Sequence, residues 1–316
     1  MSKLQIAGFD VPAGEKKQVW FDIPGTELSI PCTLIAGEGK GRTVLVTAGV
    51  HCAEYVGIEA AIELSQILKP AELNGNVVIL PLTNRSGFEH RTMSLVYEDG
   101  KNLNRVFPGD SEGSTADRLA YALMEGFIRH VDAYVDLHSG DGYEQLTPYV
   151  YYVGGTPAEE ASREMVRCVN VPYAVRSNCT TGGAYNVASA CGVPSILIER
   201  GGMGQSSFAE VEADVEDVCN LLRHLGVLGG APKYREKQEF TQVFYEYAPD
   251  YGCWHPAKRV GERFKRDEVL GEIRDYFGNV KFTCRAQAQG LMLYQTTSLT
   301  ILGGGPMVAY GVLEDS

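Results

Sequence analysis

Val44-Leu45-Val46-Thr47-Ala48-Gly49-Val50-His51-Cys52-Ala53-Glu54-Tyr55-Val56-Gly57 is the stretch on which the reading of this chain turns. Its apolar, β-branched first half predicts a buried strand, and Gly49 breaks it. An amphipathic helix is expected next, with apolar residues at Ile58, Ala61, Ile62, Leu64, Ile67 and Leu68. His51 and Glu54 fall three residues apart where strand gives way to helix, which sets both side chains on one side of the backbone. An imidazole and a carboxylate so placed suit two ligands of one zinc ion. The pattern is short, however, and a solvated pair at a helix N-terminus reads the same way.

Outward from this stretch, residues 18–23 and 28–35 read as a β lead-in punctuated by Pro24-Gly25. Buried runs follow at 76–82, 132–138, 149–153 and 194–199, with helical patterns at about 114–131, 157–169 and 210–224. Ser114 and Asp117 form a capping-box-like pair ahead of the stripe Leu119, Leu123, Phe127 and Val131. The stretch 84–114 is polar and aperiodic, and structureless segments of that length tend to be functional. Strands alternating with helices predict an open α/β sheet whose ligands bind at the carboxyl ends of the strands. After Gly229-Gly230-Ala231-Pro232 the helical period gives way to short β-prone runs separated by glycine. The expected architecture is a mixed open sheet flanked by helices over 1–232, then a smaller all-β domain over 233–316.

Composition removes several function classes. The 316 residues are 44% hydrophobic and 22% charged, the balance of an ordinary globular protein. Net charge is −12 with no block of Lys or Arg, which argues against nucleic acid and anionic membranes as partners. No apolar run reaches the roughly 18 residues of a membrane span, and the N-terminus lacks a signal-peptide core, so a cytoplasmic protein is expected. Eight scattered cysteines without a CxxC pair predict free, buried thiols.

His138 supplies what the His51 and Glu54 pair lacks. Asp136-Leu137-His138 ends a predicted strand, and alternation puts Asp136 on the same face, where it can orient a liganding imidazole. Two histidines and one glutamate leave a fourth zinc position open, the catalytic arrangement rather than the closed structural one. Cys52 lies one residue from His51 and its side chain is expected to point elsewhere. His90 sits in the irregular stretch, and His130 and His224 fall at helix ends, where a structural role is expected.

The order of these motifs resembles the zinc carboxypeptidase superfamily, and within it the succinylglutamate desuccinylase/aspartoacylase branch. The resemblance is carried by Gly49-Val50-His51-Cys52-Ala53-Glu54, Asn102-Leu103-Asn104-Arg105-Val106-Phe107-Pro108-Gly109, Asp136-Leu137-His138 and Ile198-Glu199-Arg200-Gly201-Gly202. It covers nearly the whole chain, because that branch carries a C-terminal β domain over its catalytic face. It implies one zinc ion per chain held by His51, Glu54 and His138, with Glu199 as general base. The chemistry agrees, since water on zinc titrates near pH ~7 and a carboxylate within reach can take its proton. A salt bridge to Arg200 is the alternative use of the Glu199 side chain. By the same resemblance Arg91 matches the arginine that faces the scissile carbonyl, though a solvated loop arginine reads equally well. Asn104 and Arg105 match the pair that grips the substrate carboxylate, a natural task for a planar guanidinium. Tyr185, just after Thr181-Gly182-Gly183, is expected to line the pocket.

The implied activity is a zinc-dependent deacylase acting on a small N-acyl amino acid. The same ligands and carboxylate grip also serve a metallocarboxypeptidase acting on short peptides or peptidoglycan stems. A non-catalytic binding protein that kept the fold is the third reading, and an intact ligand set with Glu199 argues against it. A β domain over the site favours small substrates, and a homodimer would be unsurprising.

Overall fold

The computed structural model describes residues 3–313. The chain opens with a hairpin, β1 (Leu4–Ile6) and β2 (Phe9–Val11), then runs through β3 (Lys16–Asp22), β4 (Ser29–Ala36) and β5 (Thr43–Ala48). Next come α1 (Tyr55–Ile67), β6 (Asn76–Leu80), α2 (Arg85–His90), α3 (Thr115–Gly126) and β7 (Ala133–His138). They are followed by β8 (Glu144–Leu146), β9 (Tyr149–Val153), α4 (Glu159–Val166), β10 (Tyr173–Ser177), α5 (Ala184–Ala190), β11 (Ser195–Glu199) and α6 (Phe208–His224). The last part is β12 (Gln238–Phe240), β13 (Val243–Tyr247), β14 (Gly252–Pro256), β15 (Arg263–Phe264) and β16 (Val269–Arg274). The strands β17 (Val280–Arg285), β18 (Gly290–Thr296), β19 (Thr300–Ile301) and β20 (Pro306–Val312) complete it.

Nine strands make one mixed sheet in the order β12-β10-β9-β11-β7-β5-β6-β4-β3. Its middle, β11, β7, β5 and β6, is parallel, so four strands deliver their carboxyl ends to one edge. Register decides what meets there: Glu199 pairs with His138, and Ala48 with Leu137. The antiparallel neighbour β9 starts at the same edge, with Tyr149 opposite Glu199.

The parallel strands are buried on both faces, which explains why they read as continuous apolar runs rather than alternating ones. On one face Val44, Val46, Val135, Leu137, Ile196 and Ile198 pack with α1 and α6. On the other, Leu45, Tyr134 and Leu197 pack with α3 and α5. Asp136, His138 and Glu199 belong by alternation to this second face. Gly57 of α1 is a packing requirement, since a Cβ there would come within 2.8 Å of the Leu137 Cβ and 2.9 Å of the Leu137 carbonyl oxygen. Its absence lets α1 lie directly on the strand that carries His138. Gly49 turns the chain at φ +64°, a conformation that suits glycine.

Three expectations differ in detail. Ile62 and Ile67 are solvent-exposed, while the expected Ile58, Ala61, Leu64 and Leu68 are buried, joined by Val56 and Ala60. The polar stretch 84–114 is not structureless, because Asn84 caps α2 and Leu103–Arg105 form a 3₁₀ turn. The large sheet takes in Gln238–Phe240, beyond the compositional break at residue 232. Ser114 and Asp117 do form the capping box of α3. Beyond β12 the chain builds a four-stranded sheet (β17-β16-β14-β19) and a five-stranded one (β13-β20-β18-β15, with β8 on β18). No described helix is long and apolar enough to cross a membrane.

Candidate metal centre

Glu54 is the N-cap of α1 and His51 lies in the bend before it, so the pair sits on the strand-to-helix turn, not within the helix. The two oxygens of the Glu54 carboxylate face two imidazoles: His51 Nδ1 lies 2.7 Å from Oε1, and His138 Nδ1 lies 2.8 Å from Oε2. The rings meet edge to face with centroids 5.0 Å apart. One ligand atom from each of the three residues falls within 4.8 Å of the others, so the group is able to hold a metal ion.

The outer partners show what the two Nδ1 atoms carry. Asn102 Oδ1 accepts from the Asn104 backbone N–H, so it is an acceptor and His51 Nε2 donates to it over 3.1 Å. His138 Nε2 lies 3.2 Å from Asp136 Oδ2, slightly out of line for a hydrogen bond, and these two buried atoms have no other described partner. Thr47 donates to Asp136 Oδ1 over 2.6 Å and also touches the Tyr134 hydroxyl at 2.7 Å. Where each Nε2 serves as the N–H side, each Nδ1 would turn a lone pair toward the Glu54 carboxylate. Three electron-rich groups so aimed repel one another unless protons or a cation lie between them. A borderline-soft divalent cation such as zinc fits this N, N, O donor set.

The electrostatics carry the same message. Burial pushes the Glu54 carboxyl up, but His138 and then His51 outweigh it and hold it at about 2. Burial works against a charged His138, yet Glu54 and Asp136 raise its imidazole well above its ordinary value. A metal ion would take the place of the protons these residues compete to keep.

Glu199 stands beside this group, and none of the described residues hydrogen-bonds its carboxylate. Burial raises its carboxyl well above the usual range and the Glu54 charge adds to that, while His138 opposes it. Two further carboxylates follow His138. Glu144 accepts from the Tyr294 hydroxyl at 2.8 Å and from the Asp141 backbone N–H at 3.1 Å. Burial, with the charges of Asp141 and Glu54, pushes the Glu144 carboxyl up to about 7. Burial also raises Asp141. Neither has an Arg or Lys ion-pair partner among the described residues.

The other expected site residues are spread around this centre. Asn104 is buried, and its Oδ1 accepts from the Ala184 N–H at the start of α5. Arg105 is exposed and donates through Nη1 to the Asn104 carbonyl over 2.8 Å. Its charge reaches Tyr245, whose hydroxyl lies 2.8 Å from that of Tyr151. Tyr185 is buried beside Tyr151, with its hydroxyl 2.9 Å from Ser177 Oγ. Arg91 is exposed at the left-handed residue closing α2 (φ 55°), with no described side-chain partner. Cys52 is buried and donates to the Met93 carbonyl at 2.8 Å, away from the ligand group. His90 donates to the Ser86 carbonyl and stacks on Tyr97 at 3.6 Å.

Sequence reasoning missed Asn102, Asp141, Glu144 and the tyrosines Tyr149, Tyr151, Tyr245 and Tyr294. Asn102 was within reach, since it opens the Asn-Leu-Asn-Arg motif. Tyr245 and Tyr294 were not, because tertiary pairing brings them here: β12 on β10 leads into the strand of Tyr245, and β18 on β8 carries Tyr294.

Fold and site together define an α/β protein with a His–Glu–His group, able to hold a cation, at the carboxyl edge of a parallel sheet core. Residues 40–225 match the succinylglutamate desuccinylase/aspartoacylase catalytic domain, and the chain belongs to that family. It is 29% identical over 238 residues to an N-alpha-acetyl-L-2,4-diaminobutyric acid deacetylase from Halomonas elongata, covering 73% of this chain and 67% of that protein. Its fold is that of the product-bound ectoine utilization protein EutE (DoeB) from Ruegeria pomeroyi, with TM-score 0.87, 23% identity and coverage of 96% and 98% of the two chains. A succinylglutamate desuccinylase/aspartoacylase structure from Rhodobacter sphaeroides has TM-score 0.85, 24% identity and coverage of 98% and 99%.

Proposed function

We propose that this protein is a zinc-dependent deacylase that hydrolyses the amide bond of a small N-acyl amino acid. The observation that carries the reading is the convergence of His51, Glu54 and His138 on one point, with Glu199 in register beside His138. The metal, when bound, would acidify an attacking water and polarise the acyl carbonyl. Three protein ligands leave a coordination position for that chemistry.

The remaining work falls to the chain. Glu199 takes a proton from the attacking water and returns it to the departing amine as the C–N bond breaks, releasing a carboxylate and a free amino acid. Its raised carboxyl pKa suits a group that must both accept and donate. Arg91 offers positive charge to the oxygen that becomes anionic. Asn104 and Arg105 hold the substrate carboxylate, and Tyr185 forms part of the wall. In this reading residues 1–232, with β12 added to their sheet, are the catalytic unit and the rest of 233–316 caps the cleft, a role supported by the reach of Tyr294 to Glu144. Such a cap favours small substrates over peptides and peptidoglycan stems.

Asp141 and Glu144 narrow the substrate further. Acidic groups without an Arg or Lys partner among the described residues suit a substrate bearing a side-chain ammonium and disfavour one bearing a second carboxylate. The name of the Halomonas elongata relative, a deacetylase of an acylated diamino acid, supports this choice. The test is a mass-spectrometric panel on zinc-loaded enzyme with N-acetyl-2,4-diaminobutyrate, N-acetylaspartate, N-succinylglutamate and short peptides. Deacylation led by the diamino substrate is expected. Release of C-terminal residues from peptides, or no turnover of any N-acyl amino acid, would overturn the reading.

A further inference from the structure

None of the described residues hydrogen-bonds the Glu199 side chain, yet a proton shuttle must be held to within a fraction of an ångström. Its neighbour is fixed on the other side of the sheet. Arg200 points toward α6, where its guanidinium donates to Asp214 and, over 2.6 Å, to Asp217. It also donates to the Asn170 carbonyl at 3.2 Å. All three ionic residues are buried, Arg200 at 4% exposure, Asp214 at 0% and Asp217 at 2%. Asp217 in turn accepts from the Asn170 backbone N–H at 2.7 Å. The backbone N–H of Arg200 donates to the His138 carbonyl over 3.1 Å.

We propose that Arg200 is a positioning residue for Glu199, bolting the end of β11 to α6 through Asp214 and Asp217 so that the Glu199 carboxylate stays beside the His138 ligand. Buried ion clusters are a poor source of stability, because desolvating the charges offsets their attraction. What a guanidinium fork held by two carboxylates does supply is a fixed direction. The point held here is one residue from Glu199, and its main chain is bonded to the carbonyl of His138. Beyond Arg200 the chain turns at Gly201 (φ +85°), and the two post-strand loops bond through Gly140 N–H to Gly201 O and Met203 N–H to Glu144 O. The strand end is therefore clamped both behind and ahead of the active edge.

The inference rests on the deacylase reading for its kinetic test and on geometry alone for its second test. Two variants are compared with wild type: Arg200→Lys, and the charge-free triple Arg200→Met/Asp214→Asn/Asp217→Asn, which leaves no orphaned buried charge. The expected result for the triple variant is a kcat lowered about 10–100-fold, KM within about threefold and unchanged zinc content, as a displaced proton shuttle requires. Arg200→Lys keeps the charge without the fork and falls between. A general structural role would instead move zinc content and KM together with kcat, and that outcome overturns the proposal, as does a triple variant with wild-type kcat. Crystal structures of both variants supply the activity-independent readout, with a shifted Glu199 carboxylate expected and an unmoved one refuting the proposal. Should the wild type turn over no N-acyl amino acid, the deacylase reading fails while the crystallographic comparison still decides the positioning role.

Discussion

Asp136→Asn isolates the outer partner of a candidate ligand. Asp136 is fully buried, takes the Thr47 hydroxyl proton on one oxygen and lies 3.2 Å from His138 Nε2 through the other. Asparagine keeps the shape but offers one oxygen and one NH₂ group. With the NH₂ toward His138, two donors oppose each other and the ring is driven to the tautomer that turns a proton, not a lone pair, toward Glu54. With the NH₂ toward Thr47, that hydroxyl proton or its Tyr134 partner loses an acceptor in a buried place, at a cost of about 1–3 kcal/mol. The imidazole is then less basic as well, because its outer partner no longer carries charge. Either orientation weakens metal binding, and outer-shell losses of this kind amount to about 10–100-fold in affinity, or about 1.4–2.8 kcal/mol. Competition against a chromophoric chelator at pH 7.5 would measure it. A zinc Kd within about twofold of wild type would refute the reasoning, because the tautomer of His138 would then not depend on Asp136.

Glu199→Gln should fold and keep its zinc while kcat falls by roughly 10²–10⁴, read from kcat, metal content and Tm on one preparation; zinc lost with activity would make Glu199 a ligand. Arg105→Ala should lose about 2–5 kcal/mol in kcat/KM, with Lys restoring only part, and comparing a substrate with its carboxamide tests whether a carboxylate is being held. Glu144 releases its proton near pH 4.5 when unfolded and at about 7 in the fold, so the metal-free native state holds the extra proton between these values and its stability falls as pH rises through that window. Denaturant titrations from pH 4.5 to 8 should show this decline blunted in Glu144→Gln. Gly57→Ala gains about 1 kcal/mol of helix propensity but forces a Cβ against Leu137, a strain of about 1–3 kcal/mol, so a Tm no higher than wild type is expected.

Much of this architecture is legible in the sequence because burial dictates it. The parallel strands must be apolar on both faces, so 44–48, 133–138 and 195–199 stand out as runs, and their carboxyl ends name His51, His138 and Glu199. Ser114 and Asp117 announce α3 through local hydrogen bonding alone. The stripe of α1 is harder to read, because Gly57 packs on Leu137 of β7 while Ile62 and Ile67 face solvent, and period alone does not choose among apolar residues. Least legible were groups that reach the site through tertiary pairing. Tyr294 lies 150 positions from Glu144, and nothing local marks it. The sequence offers Arg200 only as a partner for Glu199, whereas strand alternation sends it to the opposite face, onto α6.

The pairing of β8 with β18 also orders events in time. His51, Glu54, Asn102, Asp136 and His138 all lie within the first 138 residues, and β5, β6 and β7 are neighbours in the sheet. A chain emerging from the ribosome therefore contains every candidate ligand long before Tyr294 is made. Contacts across such sequence distances form late, because the loop they close must be ordered first. The candidate ligand set and the pocket wall are thus completed at separate stages of synthesis: a nascent chain stopped before β18 carries all three candidate ligands while lacking the tyrosine that bonds Glu144.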